Sequence, residues 1–356
     1  VTYLAQRSEL MMGIFFLLAL YSLIRGVPSV RRRAWYLLAI ASCAMGSACK
    51  EVIIAAPLVI LVFDRVFLSQ SVGDILRTRG YLYAGMMLGI GAVLIPQALH
   101  GANNAEIHPY YYGGSGATLY LYTQWGVMLH YLRLSFVPYP LCIDYGWPLV
   151  SGLREAIPAA SCLSLLGLAI LLALRHLPAV GFLGVWFFGI VLTSSSFVPR
   201  PDCAAEQRMY LPLCAVVVGV VICVRWLMCR SAPRDGVAQR ATRILAVICG
   251  AVGIAVFGLM TYERNADYTS EERIWMDVMS KRPQNGRAYV NLTGALLKEG
   301  RGAEVLHWCD EGLKRMPDYA GMTMAELKSL CEGPSSENVY RDISSYVQIM
   351  NNSGLA

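Results

Sequence analysis

Eight apolar runs, at about residues 10–25, 34–49, 52–67, 81–98, 158–174, 179–196, 209–225 and 244–261, constrain this chain more than any motif in it. A helix of roughly 20 apolar residues crosses the ~30 Å hydrocarbon layer. Inside that layer no water can satisfy open backbone groups, so runs of this kind fold as helices. The fold class read from them is all-α, a polytopic membrane helical bundle with a C-terminal helical domain. The division is 1–262 for a membrane domain of about eight transmembrane helices and 263–356 for the domain that follows. Several runs are shorter than a full crossing, so their flanks are expected to extend into the interface. A composition of 56% hydrophobic and 15% charged residues agrees with this class and excludes an ordinary soluble domain.

Two stretches need a decision. As one helix, residues 34–67 would be about 50 Å long, so a hairpin turning at Lys50 and Glu51 is expected. Residues 118–137 carry Gln124, His130 and Arg133 among aromatics and read either as a span or as a helix lying in the interface. If that segment does not cross, Arg25, Arg31 to Arg33, Arg65, Arg77, Arg79, Arg175 and the arginines between 225 and 243 all fall on one side. The positive-inside rule makes that side cytoplasmic. Residues 99–157 are then one long external segment, and residues 263–356 are extracytoplasmic as well. The net charge of +6 is distributed over these short segments, a membrane-loop pattern that implies no nucleic acid partner. Six of the eleven cysteines lie inside apolar runs and read as packing residues, and no CxxC pair occurs.

Beyond Tyr262 the composition turns polar. Leu292, Leu296, Gly300, Val305, Cys309, Gly312 and Pro317 fall at the spacings of a 34-residue tetratricopeptide repeat, with Trp275 to Pro283 as a partial unit before it. Gly300 would permit the turn and Pro317 would end the second helix. An unrelated helical hairpin is the alternative.

The polar clusters of the membrane half all fall on the external face in this topology. Arg7 and Glu9 precede the first run, and Lys50 and Glu51 sit at the hairpin. His108, Tyr110 to Tyr112, Asp144 and Tyr145 lie in the long segment, and Arg200, Asp202, Glu206, Arg208 and Tyr210 lie between two apolar runs. Charges beside hydrocarbon are costly unless they pair, snorkel or face water. One reading gives the cations a lipid phosphate and the carboxylates substrate hydroxyls. The other pairs Arg200 and Arg208 with Asp202 and Glu206, and Lys50 with Glu51. The histidines lack metal-ligand spacing, and no Walker, GxSxG or dinucleotide motif is present.

The ordered segments "VTYLAQRSELMMGIFFLLALY", "ACKEVIIAAPLVILVFD", "YLRLSFVPYPLCIDYGWP" and "TSSSFVPRPDCAAEQRMYLPL", followed by the repeat pattern, resemble the bacterial relatives of the transmembrane and tetratricopeptide-repeat (TMTC) O-mannosyltransferases, which are GT-C glycosyltransferases. The resemblance implies a GT-C-like bundle. It also implies transfer of a sugar, mannose in the named family, from a polyprenyl-phosphate carrier to a protein hydroxyl or other acceptor on the extracytoplasmic face. Lys50 and Glu51 match the family's S-K-E element with Cys49 in place of serine, and Asp144 and Tyr145 match its D-Y element. Glu206, Arg208, Tyr210 and Pro212 match E-H-R-M-Y-L-P, with Gln207 where histidine is usual.

On this footing Arg208, Lys50 and Arg7 are expected to bind the donor phosphate. Glu206 and Asp144 support catalysis, and Glu51, Tyr145, Tyr210 and Arg200 orient substrate. The catalytic acid itself is expected in a first external loop upstream of Val1. The polyprenyl-linked sugar serves as donor without a metal, the lipid carrier is one partner, and an acceptor protein or glycan meets the repeat domain. The expected location is the bacterial inner membrane, or the endoplasmic reticulum in a eukaryotic host. A non-catalytic membrane-anchored scaffold and a lipid-linked sugar flippase or polymerase are the rival readings.

Overall fold

The computed structural model describes residues 6–103, 116–195, 202–231 and 236–315, together with Gln348. The described residues are helical and contain no strand. The elements are α1 (Arg7–Gly26), α2 (Arg32–Cys49), α3 (Ala55–Phe63), α4 (Val72–Asn103), α5 (Gly116–Phe136) and α6 (Leu153–His176). They continue as α7 (Pro178–Ser194), α8 (Leu213–Ser231), α9 (Gly236–Asp267), α10 (Glu271–Lys281), α11 (Gly286–Lys298) and α12 (Gly302–Lys314).

Among the described residues, five segments are long and apolar enough to cross a membrane: Arg7–Gly26, Val72–Leu99, Leu153–His176, Leu213–Arg230 and Ile244–Asp267. The apolar windows of Leu153–His176 and Ile244–Asp267 bury nothing against protein, so their apolar surface is left for lipid. The remaining three apolar runs are shorter or interrupted. α7 has 17 residues, and α2 opens on Arg32 and Arg33. The run at 52–67 divides into a 3-10 turn (Glu51–Ile54), α3 and a π turn (Asp64–Leu68). Pro57 is tolerated there because it lies in the first turn of α3, where its missing N–H has no intrahelical partner.

The expected break at Lys50 is present: α2 ends at Cys49 and Lys50 is extended, with φ −163°. α1 buries Met12, Phe16, Ala19 and Leu23, spaced four, three and four apart along one helix face. Small residues allow the neighbouring helices to approach closely. A Cβ on Gly85 of α4 would lie 2.4 Å from the Ile40 side chain of α2, and one on Gly181 of α7 would lie 2.4 Å from the Leu174 backbone of α6.

One end of the bundle is closed by a buried ion pair. Arg79 lies 3.0 Å from the Asp64 carboxylate, which also accepts hydrogen bonds from Tyr83 Oη and Ser69 Oγ, each at 2.8 Å. Arg79 therefore lies in α4 and pairs with a buried carboxylate, although the sequence placed it in a loop.

At the opposite end α10, α11 and α12 pack in succession, with short connections that make neighbours antiparallel. Gly300, at φ +74°, separates α11 from α12. Its N–H donates to Leu297 O, and the Arg301 N–H donates to Leu296 O. This is the paired closure of a left-handed helix C-terminus, a backbone conformation in which glycine carries no Cβ penalty. Leu292, Leu296, Val305 and Cys309 are buried.

Candidate functional site

The polar segments of the membrane half meet at the end of the bundle that carries α10 to α12. Glu9, in the first turn of α1, is buried, and Lys50, just past α2, donates to its carboxylate. Lys50 is therefore held by Glu9. A Cβ on Gly13, one turn further along α1, would sit 3.0 Å from the Tyr210 ring. This brings the Glu9–Lys50 pair beside the 206–211 segment. That segment is anchored from below, where Trp186 Nε1 donates to Leu211 O at 2.9 Å and Trp186 meets Phe16 edge to face at 5.3 Å.

Arg208 is 6% exposed. Its Nη1 donates to Cys203 O at 3.0 Å and its Nη2 to Asp202 O at 2.6 Å. The guanidinium thus satisfies the carbonyls of the loop before it. The side-chain pairing of Arg208 with Asp202 or Glu206, weighed from sequence, is replaced by these carbonyls. α5 runs along the same loop: Gln124 Nε2 donates to Cys203 O at 3.1 Å, and Tyr131 Oη accepts from Ala205 N at 2.7 Å.

Glu206 stands where these segments meet. Its Oε1 accepts from Cys142 N at 2.5 Å and from the Tyr145 hydroxyl at 2.8 Å. Among the described residues, no hydrogen bond reaches its Oε2. Burial pushes the carboxyl above its ordinary value of 4.5, and the bonds from Tyr145 and Cys142 with the nearby charges of Arg264 and Lys281 oppose that push. The Tyr145 hydroxyl is raised in turn, chiefly by burial and then by the Glu206 charge. Burial also pushes the Cys142 thiol up to about 11.

His130 of α5 packs its ring 5.0 Å from those of Tyr145 and Trp147. Its Nε2 is buried without a hydrogen-bond partner among the described residues. Burial, helped by Arg133 and Arg282, lowers its pKa to about 4, so at neutral pH the ring is uncharged.

Asp144 turns the chain: its Oδ1 accepts from Gly146 N at 2.9 Å, and Gly146 takes φ +50°. α10 and α11 close over this turn. Lys281 Nζ donates to Leu141 O at 2.7 Å, and the Arg282 guanidinium lies 5.6 Å from the Tyr145 ring centre. Arg287 Nη1 lies 2.5 Å from Asp202 Oδ1 and 3.5 Å from Asp144 Oδ2.

Lys50, Asp144, Tyr145, Glu206, Arg208 and Tyr210 therefore gather at one end of the bundle. Glu51 lies in the turn that follows Lys50, and Arg7 opens α1 in the same region. Arg200 lies outside the described residues, as does the 108–112 aromatic stretch. From sequence, Glu9 is only one of a polar pair with Arg7, and His130 and Arg287 have no role in the site. Glu9 had a signal, a carboxylate opening an apolar helix. His130 had one too, an imidazole among aromatics. Arg287 had none, because its partners are more than 80 residues away. No family model, curated protein or solved structure matches the chain.

Proposed function

We propose that this protein is a membrane glycosyltransferase of GT-C type that moves a sugar from a polyprenyl-phosphate carrier to a hydroxyl acceptor on the extracytoplasmic face. The observation that carries the reading is Glu206. It is a carboxylate at the end of an apolar helical bundle, with one oxygen fixed by two donors and the other open to a substrate. Fixing Oε1 orients Oε2, and the raised pKa makes it a better proton acceptor than an ordinary glutamate near neutral pH. Glu206 then accepts from a sugar or acceptor hydroxyl, while a cation stabilises the departing carrier phosphate and the acceptor oxygen attacks the anomeric carbon with inversion.

The roles of Lys50 and Arg208 shift from the sequence expectation. Lys50 neutralises Glu9, and Arg208 builds the loop that presents Glu206. The two act as positioning residues. α5 lies in the interface, and α10 to α12 form a tetratricopeptide-like unit that covers the site and receives the acceptor.

The test is transfer of radiolabelled sugar from polyprenyl phosphate by the purified chain in proteoliposomes. Replacing Glu206 by Gln is expected to lower transfer by about 10²-fold or more. Absence of transfer from every polyprenyl-phosphate sugar tried would favour the scaffold reading instead.

A further inference from the structure

A cleft of about 610 Å³ opens where α9 meets α10 and the 138–141 segment. Phe257, Met260 and Leu141 line it, together with Arg264, Arg273 and Lys281. Along α9, Phe257 and Arg264 are separated by about 10 Å at 1.5 Å per residue. The cleft is thus apolar toward the long apolar run and charged past its end. Glu263 and Asp267 also line it, so its charge is mixed.

Arg264 carries the chemistry. Its Nη1 is taken by Asp277 at 2.6 Å and Asp267 at 3.0 Å, and its guanidinium lies 5.2 Å from the Tyr268 ring centre. Its Nε and Nη2 are both buried and have no hydrogen-bond acceptor among the described residues. Two such N–H groups on one guanidinium are costly to leave open, and once the side chains covering them shift toward solvent their fork matches two oxygens of a phosphate.

We infer that this cleft binds the phosphate of a single anionic amphiphile, with Arg264 as the fork and the Phe257 and Met260 side receiving the start of its tail. Arg273 and Lys281 add positive charge, although Lys281 is shared with Asp277 and Leu141 O. Leu141 lines the cleft and adjoins Cys142, whose N–H donates to Glu206, so a phosphate here would lie near the proposed catalytic carboxylate. The inference supplies a phosphate site that fits the positioning roles proposed above for Lys50 and Arg208. It rests on the glycosyltransferase reading only for the identity of the carrier, since a membrane phospholipid headgroup offers the same chemistry.

The test is binding of undecaprenyl phosphate, phosphatidylglycerol and the uncharged prenol to the full chain in phosphatidylcholine nanodiscs. Undecaprenyl phosphate is expected to bind at least tenfold more tightly than the prenol. Arg264→Lys, which keeps the charge and loses the fork, should weaken phosphate binding on the order of tenfold. Thr261→Trp, on the exposed cleft wall, should weaken it by obstruction while leaving the unfolding temperature unchanged. Preference for undecaprenyl phosphate identifies the carrier, and equal binding of phosphatidylglycerol identifies a phospholipid site. Equal affinity for the prenol and the phosphate, or wild-type binding by both variants, overturns the inference. A chain that binds the phosphate yet transfers no sugar overturns the catalytic reading and leaves this one standing.

Discussion

At the scale of single residues, three side chains set the behaviour of the site. Glu206 has a raised pKa, so between its ordinary value of 4.5 and the raised one the folded chain keeps a proton that the unfolded chain releases. Stability contributed by that proton is lost as pH rises through this window. If Glu206 must be ionised to accept a proton, the acidic limb of the transfer profile lies above 4.5. Tyr145→Phe removes a bond that favours the charged form and should move the limb further up, as read from transfer rates across pH. Arg208→Lys cannot satisfy both Asp202 O and Cys203 O. A loss of about 2 kcal/mol is expected, measured by thermal unfolding of the purified protein. Glu9→Gln leaves Lys50 in a largely buried position without its charge partner and should cost about 3–5 kcal/mol in the same assay. Sequence made Glu206, Arg208 and Lys50 visible as charges beside apolar runs. It did not give their partners, because pairing depends on which helix ends meet in space.

At the scale of elements, periodicity and length were the readable signals. The five span-length helices coincide with apolar runs read from the sequence, and Gly300 takes the positive φ that its place between two helices suggested. The break of residues 51–68 into three helical types was not readable, since continuous hydrophobicity carries no mark of a change in winding. Helix approach is set by glycines whose importance appears only in three dimensions. Gly181→Ala would place a Cβ 2.4 Å from the backbone of Leu174, forcing α6 and α7 apart at an expected cost of about 1–3 kcal/mol. Gly167→Ala on the same hairpin meets nothing within 4 Å and should be neutral or stabilising by up to about 1 kcal/mol. Denaturation of the two variants side by side checks the contrast.

At the scale of the whole molecule, the chain separates its charges by end. One end holds the sealed Asp64–Arg79–Tyr83 cluster and the arginine-bearing turns. The other holds Glu9, Lys50, Asp144, Glu206 and the docked α10–α12 unit. The arginine distribution predicts which end faces the cytoplasm, because sidedness in a membrane chain is written in short loops. Which groups of the C-terminal unit touch the site was hidden, since Lys281, Arg282 and Arg287 have the ordinary look of a solvated helical surface. The most direct measurement is labelling with a membrane-impermeant maleimide in intact cells, on a background without native cysteines. Cysteines at the exposed positions Tyr139 and Arg287 should react from outside, and those at Arg31 and His176 only after the membrane is opened. Labelling of positions 139 and 31 from the same side would contradict a one-sided site at the extracytoplasmic face.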